Sequence, residues 1–311
     1  MQAHQPVLLE ETLEQLNIQA DGLYVDATFG RGGHSRGILQ RLDANGQLLA
    51  MDKDPAAIAA AENSELGHDP RFHIHQGSFT QLHSLLQLQG ALGKVRGILF
   101  DLGVSSPQLD EAERGFSFLK EGPLDMRMDP TQSMDAARWL NTASEQEIYR
   151  VIKEYGEERF AGRIAAAIHK ARSDAAITTT MQLAEIISAA HPRWEPHKHP
   201  ATRSFQGIRI YINQELTELT AVLPQCLEAL AIGGRLLVIS FHSLEDRIVK
   251  DFIETYGSTA QLPRGLPFTA AQLSSNLRIK RINGAIKPSP AEVKENPRAR
   301  SAKLRVIEKI A

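Results

Sequence analysis

Along the first third of the chain, apolar and polar positions fall into two alternating patterns. Short apolar runs, Tyr24-Val25, Leu48-Leu49-Ala50-Met51 and Ile98-Leu99-Phe100, each stop at an aspartate: Asp26, Asp52 and Asp101. Between them lie segments with helical periodicity, over about residues 10–16, 35–41 and 81–88, separated by turn signals such as Asp21-Gly22 and Asn45-Gly46. Asp54 followed by Pro55 reads as an N-cap with proline at the first helical position of an alanine-rich helix. Phe72 to Gly77 adds a third strand, before the one that ends at Asp101. Strands alternating with helices predict a mainly parallel sheet.

After Asp101 the alternation stops. Residues 102–130 are rich in Gly, Pro and Ser, too long a stretch for an ordinary strand–helix connection. Helical segments follow: one opened by the capping-box spacing Ser144-Glu145-Gln146-Glu147, one over residues 158–172, and one capped by Thr180 and running to Ala190. A break at Pro192–Pro200 precedes a longer helical region from Ser204, interrupted near Pro224. The strand pattern then returns with Arg235 to Phe241, and Ser243 caps the next helix with Glu245 and Asp246 suiting its dipole. A loop at Gln261–Pro267 and a weak strand at Leu277–Ile286 come next. Lys303-Leu304-Arg305-Val306-Ile307 alternates polar and apolar, unlike the doubly buried strands, which suits an antiparallel strand. The expected organisation is α/β: a doubly wound, mostly parallel sheet with one antiparallel strand, over residues 1–112 and 208–311, with an all-helical domain inserted at 113–207.

Composition narrows the class. The 311 residues are 42% hydrophobic and 23% charged, with a formal charge of −2, so any nucleic acid must be held by a local basic patch. The single cysteine, Cys226, excludes an internal disulfide and suits a reducing cytoplasm. Met1 to Glu11 lacks the form of a signal peptide, and no apolar run is long enough for a membrane span.

The chemistry gathers around Asp26-Ala27-Thr28-Phe29-Gly30-Arg31-Gly32-Gly33-His34, a strand running into a glycine loop and a helix. Gly30, Gly32 and Gly33 can take positive φ and let a ligand lie against the backbone. Asp52 lies about 20 residues further on, the place of an acid that grips a ribose in a nucleotide-binding βαβ unit. In a doubly wound sheet ligands sit beyond the carboxyl ends of the strands, where Asp26, Asp52, Ser78-Phe79, Asp101 and Ser240-Phe241-His242 all fall. Phe79 could pack on an adenine, and Asp101 could hold a cationic cofactor group or a reacting amine. Gly103 to Gln108 reads as a polar loop forming a pocket wall. His191, His197 and His199 lack a suitably spaced acid or cysteine, so they read as solvated loop residues and no metal is expected. Short basic segments at 197–203 and 296–305 have the form of phosphate contacts. At this level a nicotinamide-dependent dehydrogenase remains a rival, although Gly-x-Gly-Gly is not a clean Gly-x-Gly-x-x-Gly. A non-catalytic RNA-binding protein is a second rival.

Longer words carry a resemblance. Thr28-Phe29-Gly30-Arg31-Gly32-Gly33-His34-Ser35, Asp101-Leu102-Gly103-Val104-Ser105-Ser106-Pro107-Gln108, Arg114-Gly115-Phe116-Ser117-Phe118, Gly122-Pro123-Leu124-Asp125-Met126-Arg127-Met128, Tyr155-Gly156-Glu157-Glu158-Arg159-Phe160, Ser240-Phe241-His242-Ser243-Leu244-Glu245-Asp246-Arg247 and Asn296-Pro297-Arg298-Ala299-Arg300-Ser301 occur in this order along nearly the whole chain. Together they resemble the bacterial 16S rRNA cytosine-N4 methyltransferases. The resemblance implies S-adenosylmethionine as methyl donor, a class I methyltransferase sheet, and a cytidine of the decoding region of the small ribosomal subunit as target. It implies cofactor contacts at Gly32, Gly33, His34, Asp52, Phe79, Asp101 and Gln108, with Asp101 also the candidate catalytic residue. Arg127, Ser240, His242, Arg298 and Arg300 are the candidate substrate contacts. Many amino-group methyltransferases carry an Asn/Asp-Pro-Pro-Tyr-like word after the fourth strand; Asp101-Leu102-Gly103-Val104 stands there instead, as in this family. Flat helical insertions often pair, so a homodimer is a further expectation.

Overall fold

The computed structural model describes residues 6–193, 199–257 and 277–311. They form two compact units, Met1–Gly103 with Leu216–Ala311, and Val104–Glu215. The second is wider at both ends than the 113–207 stretch read from the sequence. The loop expected at 261–267, His197 and part of the expected break at 192–200 lie outside the described residues.

In the first unit seven strands form one sheet: β1 (Leu23–Asp26), β2 (Gln47–Asp52), β3 (Phe72–Gln76), β4 (Val95–Asp101), β5 (Leu230–Ser240), β6 (Ile279–Ile286) and β7 (Lys303–Lys309), in the order β3-β2-β1-β4-β5-β7-β6. β1 to β5 pair in parallel, and β7 runs antiparallel between β5 and β6. Consecutive apolar residues in the central strands face opposite ways. Val25, Leu49, Ile98, Phe100, Leu236 and Val238 pack with Leu82, Leu86, Val222, Leu223 and Phe252 on one side. Tyr24, Leu48, Ala50, Leu99, Leu237 and Ile239 pack with Leu13, Leu16, Ile38, Ala57 and Ala61 on the other. That is why these strands read as unbroken apolar runs.

Helices cover both faces: α1 (Leu9–Gln15), α2 (Gly33–Leu39), α3 (Pro55–Glu62) and α4 (Leu82–Leu88) from the first segment, and Glu215–Ala229 and Ser243–Gly257 from the second. Asp54 caps α3 by accepting from Ala56 N–H, with Pro55 at the first position. The expected interruption at Pro224 is a correction: Pro224 lies inside the helix Glu215–Ala229. The buried Leu219, Val222, Leu223, Cys226 and Leu227 flank it, and their burial outweighs the roughly 3 kcal/mol cost of an internal proline. Among the described residues no helix is long and apolar enough to cross a membrane.

The second unit is helical, with a core of Trp139, Leu140, Ile148, Val151, Ile164, Ile168, Leu183, Ile187, Phe205 and Ile208. Ser144 and Glu147 close the expected capping box. The cap of the helix Thr180–Ala190 is Thr179, one residue before the expected Thr180, because Gln182 completes a second capping box with it. A third box, Ser105 with Gln108, turns the expected polar loop at 103–108 into a short helix, Ser106–Asp110. The helix Ala201–Ile212 stops at Asn213, whose amide donates to Met126 C=O at 2.7 Å and whose carbonyl accepts from Met128 N–H at 2.7 Å. Asn213 is buried, so Asn213→Ala strands two main-chain groups. It should destabilise the unit by about 2–4 kcal/mol, read as a lowered denaturant midpoint at unchanged slope.

Candidate cofactor site at the strand ends

At the carboxyl ends of β1, β2, β4 and β5 the first unit gathers its acids. Asp26 is buried, with one oxygen accepting Ser35 Oγ–H at 2.7 Å and the other Thr28 N–H at 3.3 Å. Asp52 ties the glycine loop to the following helix: Oδ2 accepts from Gly30 N–H at 2.8 Å and Oδ1 from Asp54 N–H at 2.9 Å. Each oxygen keeps a second lone-pair site, as an acceptor of paired hydroxyls needs. Asp101 donates its N–H to Thr28 Oγ1 at 2.6 Å, while its Oδ1 is buried without a hydrogen-bond partner. Its Oδ2 lies 3.8 Å from His34 Nδ1. Desolvation, Asp26 and Glu245 push the Asp101 carboxyl up to about 8, and burial pushes Asp26 up to about 6.

His34 is buried, and its Nε2 meets the Val7 carbonyl at 3.1 Å. A carbonyl only accepts, so Nε2 carries the proton and Nδ1 presents a lone pair towards Asp101. Burial pushes His34 down to about 4, so the ring is neutral at physiological pH. Glu245 turns back onto the start of its own helix, accepting from Phe241 N–H at 2.8 Å and His242 N–H at 3.2 Å. His242 Nε2 lies 3.1 Å from Glu245 Oε1 but off the line of a hydrogen bond, and both ring nitrogens are buried without a partner.

A buried acceptor without a hydrogen bond at Asp101 and the buried ring nitrogens of His242, with the half-occupied Asp52, suit a polar ligand carrying hydroxyls and a cationic group. Comparison with known proteins names the chemistry. The model of the MraW methylase family matches residues 1–310. The chain belongs to the MraW methylase family. Curated relatives called ribosomal RNA small subunit methyltransferase H are 58% identical in Coxiella burnetii, over all of both chains. Those in Pseudoalteromonas atlantica are 56% identical, over 99% of this chain and 98% of the relative. In Legionella pneumophila they are 55% identical, over all of both chains. As a methylase of this family the chain is an enzyme that takes S-adenosylmethionine as methyl donor, and its strand order with β7 reversed is that of a class I methyltransferase.

The MraW-family residues implied by the resemblance are divided between the two units. Gly32, Gly33, His34, Asp52, Phe79 and Asp101 belong to the first unit, and Gln108 to the second. Phe79 packs edge-on to Phe100, ring centroids 5.3 Å apart, and is half-buried on the core beneath the strand ends. Gln108 is buried, with its carbonyl accepting Ser105 N–H at 2.9 Å. Arg127 makes a two-pronged pair with Asp125, at 2.7 and 2.6 Å, inside the second unit. Ser240 ends β5 with its hydroxyl 3.4 Å from the Lys303 carbonyl. Arg298 and Arg300 project from a 3-10 turn, Pro297–Ser301, that Ala299 anchors in the core.

Gly32 and Gly33 have no room for a side chain within the protein. A Cβ on Gly32 would lie 2.6 Å from the Phe29 ring, and one on Gly33 2.1 Å from Pro6 Cγ. His191 is not a solvated loop residue: its side chain is only 6% exposed, stacked edge-on to Phe160 with Nε2 3.5 Å from Glu158. Thr28, Val7 and Glu245, which orient the site, were not among the expected site residues. Thr28 and Glu245 had a signal, their places in the glycine-loop word and in the word Ser240 to Arg247.

Proposed function

We propose that this enzyme transfers a methyl group from S-adenosylmethionine to the N4 amine of one cytidine in the decoding region of 16S rRNA. The observation that carries the reading is the full-length identity of 55–58% to relatives named as small-subunit rRNA methyltransferases. On this reading Asp52 holds the cofactor ribose, Phe79 flanks its adenine, Gly32, Gly33 and His34 line its backbone-facing side, and Asp101 faces its reacting end. Gln108 is a further proposed cofactor contact. The enzyme works in the cytoplasm on the small ribosomal subunit.

S-adenosylmethionine supplies an electrophilic methyl on a sulfonium. The protein's task is orientation, because the cytosine amine lone pair is delocalised into the ring. An acceptor at Asp101, or a main-chain carbonyl of Leu102-Gly103, holds one amine N–H and turns the lone pair towards the methyl. The amine proton becomes acidic only as the new bond forms, so a modest acceptor suffices and most of the acceleration comes from positioning. The target base leaves its stack to reach this point. The unpartnered nitrogens of His242, close to Ser240, suit a polar edge of that base. Arg127 pairs with Asp125, and phosphate contacts are assigned to the exposed, basic Arg298 and Arg300 and to the helical second unit, the proposed recognition domain.

The test is incubation with small subunits lacking the modification and methyl-labelled donor, followed by nucleoside analysis. Label appears as N4-methylcytidine; its absence from rRNA sinks the reading. In the same assay Arg298→Ala with Arg300→Ala should raise KM for the subunit and reduce the salt slope of binding by about 1 per arginine, leaving donor affinity unchanged.

A further inference from the structure

Pro6, Val7 and Leu8, just before α1, form a strap with three fixed points. Pro6 packs on Gly33, its Cγ 2.1 Å from where a Cβ would stand. The Val7 carbonyl holds His34 Nε2 at 3.1 Å. Leu8 donates its N–H to Glu292 Oε1 at 2.8 Å, 284 positions away in the chain. Leu8 adopts φ 55° and ψ 37°, a left-handed conformation that leucine rarely takes, and is wholly buried. Such a conformation persists only where the surroundings over-determine it, and here the Glu292 carboxylate and the core around Leu8 do so.

Glu292 has an obvious alternative use. It is the third residue of the short helix Pro290–Glu295, whose N-cap Ser289 accepts from Glu292 N–H at 3.1 Å. In a capping box the same carboxylate would return to the N–H of Ser289. It reaches across to Leu8 instead.

We infer that Glu292 is a positioning residue for the cofactor site: by holding Leu8 N–H it fixes the strap, and the Val7 carbonyl then sets the tautomer and ring orientation of His34. This rests on the proposed role of His34 as a cofactor contact. With Nε2–H engaged, Nδ1 presents an unprotonated lone pair towards Asp101 and the cofactor. Without the strap either nitrogen could carry the proton, and the Nδ1–H tautomer would point N–H where a lone pair is needed.

The test uses the full chain labelled with 15N-histidine, titrated with S-adenosylmethionine by calorimetry. In the unmutated protein His34 shows a single Nε2–H tautomer. Glu292→Ala should weaken donor binding about five- to tenfold, leave kcat at saturation unchanged and give His34 a mixture of tautomers. Glu292→Gln keeps the accepting oxygen and should restore both. Glu292→Ala with normal affinity and a single Nε2–H tautomer overturns the inference. So does lowered stability with the His34 tautomer intact, which is a purely structural role. His34→Asn separates the two levels: if it binds the donor normally, the reading of His34 as a contact fails, while the His34 tautomer in the Glu292 variants still reports on the strap.

Discussion

Asp101→Asn is expected to lower methyl transfer about a hundredfold and, at pH 8, to make the folded protein more stable. Both effects come from one feature, a carboxyl with a buried, unpartnered oxygen among other acids. Burial, Asp26 and Glu245 push Asp101 up to about 8, so folding favours its neutral form. A group whose pKa is raised on folding contributes most below its unfolded value, near 4, and loses that contribution as pH rises through about 8. Asparagine never ionises. The two proteins should therefore unfold alike at pH 4, and the variant should be more stable at pH 8, by roughly 5 kcal/mol. Melting temperatures across pH 4–9 check this.

If Asp101 faces the cationic group of the cofactor, as proposed, the cofactor reverses the preference. A cationic group in the site needs the carboxylate, so donor binding to the unmutated enzyme should release a proton and tighten up to tenfold per pH unit below about 8. Asp101→Asn should bind weakly with a flat pH profile. Calorimetry in two buffers of different ionisation enthalpy counts the proton directly. A raised donor Kd assigns Asp101 to holding the cofactor; a lowered kcat at normal Kd assigns it to the amine. If Asp101→Asn and Asp101→Ala both keep full turnover and normal donor affinity, Asp101 has neither role.

How far the chain can be read without coordinates depends on the range of each interaction. β2, β4 and β5 were legible because both sheet faces are covered, so every position must be apolar, and β7 stood out by its alternation. Ser144 with Glu147 was legible because a capping box is written within four residues. The same spacing at Thr179–Gln182 and Ser105–Gln108 was there to be found. The helix Ala136–Thr142 was missed, being short and buried against the second core. The true stop before Pro224 was not legible, since Asn213 takes its partners from Met126 and Met128, more than 80 positions earlier. In the site, Asp26, Asp52 and Asp101 announced themselves at strand ends. Val7 acts through its carbonyl and Glu292 through an N–H 284 positions distant, and a main-chain partner leaves no mark on residue type.

The glycine loop carries the second large effect: Gly32→Ala should destabilise the protein by about 2–4 kcal/mol and raise the donor Kd at least tenfold. Gly32 sits at φ 72° as the residue before α2, so an alanine there bears the left-handed cost of roughly 1–2 kcal/mol. Its Cβ would also stand 2.6 Å from the Phe29 ring and 2.8 Å from Leu66. Neither neighbour can yield freely, because both are buried and Phe29 packs on Phe72 of β3 at 5.7 Å between centroids. Relief must come from shifting the loop, which is bonded to Asp52 through Gly30 and leads into His34. Gly90→Ala separates the two contributions, since Gly90 has φ 62° with nothing within 4 Å of the added Cβ. It should show the backbone cost alone and bind donor normally. Equal losses of stability in the two variants, with donor affinity intact in both, would mean that the loop repacks at no cost and that its glycines serve the backbone only.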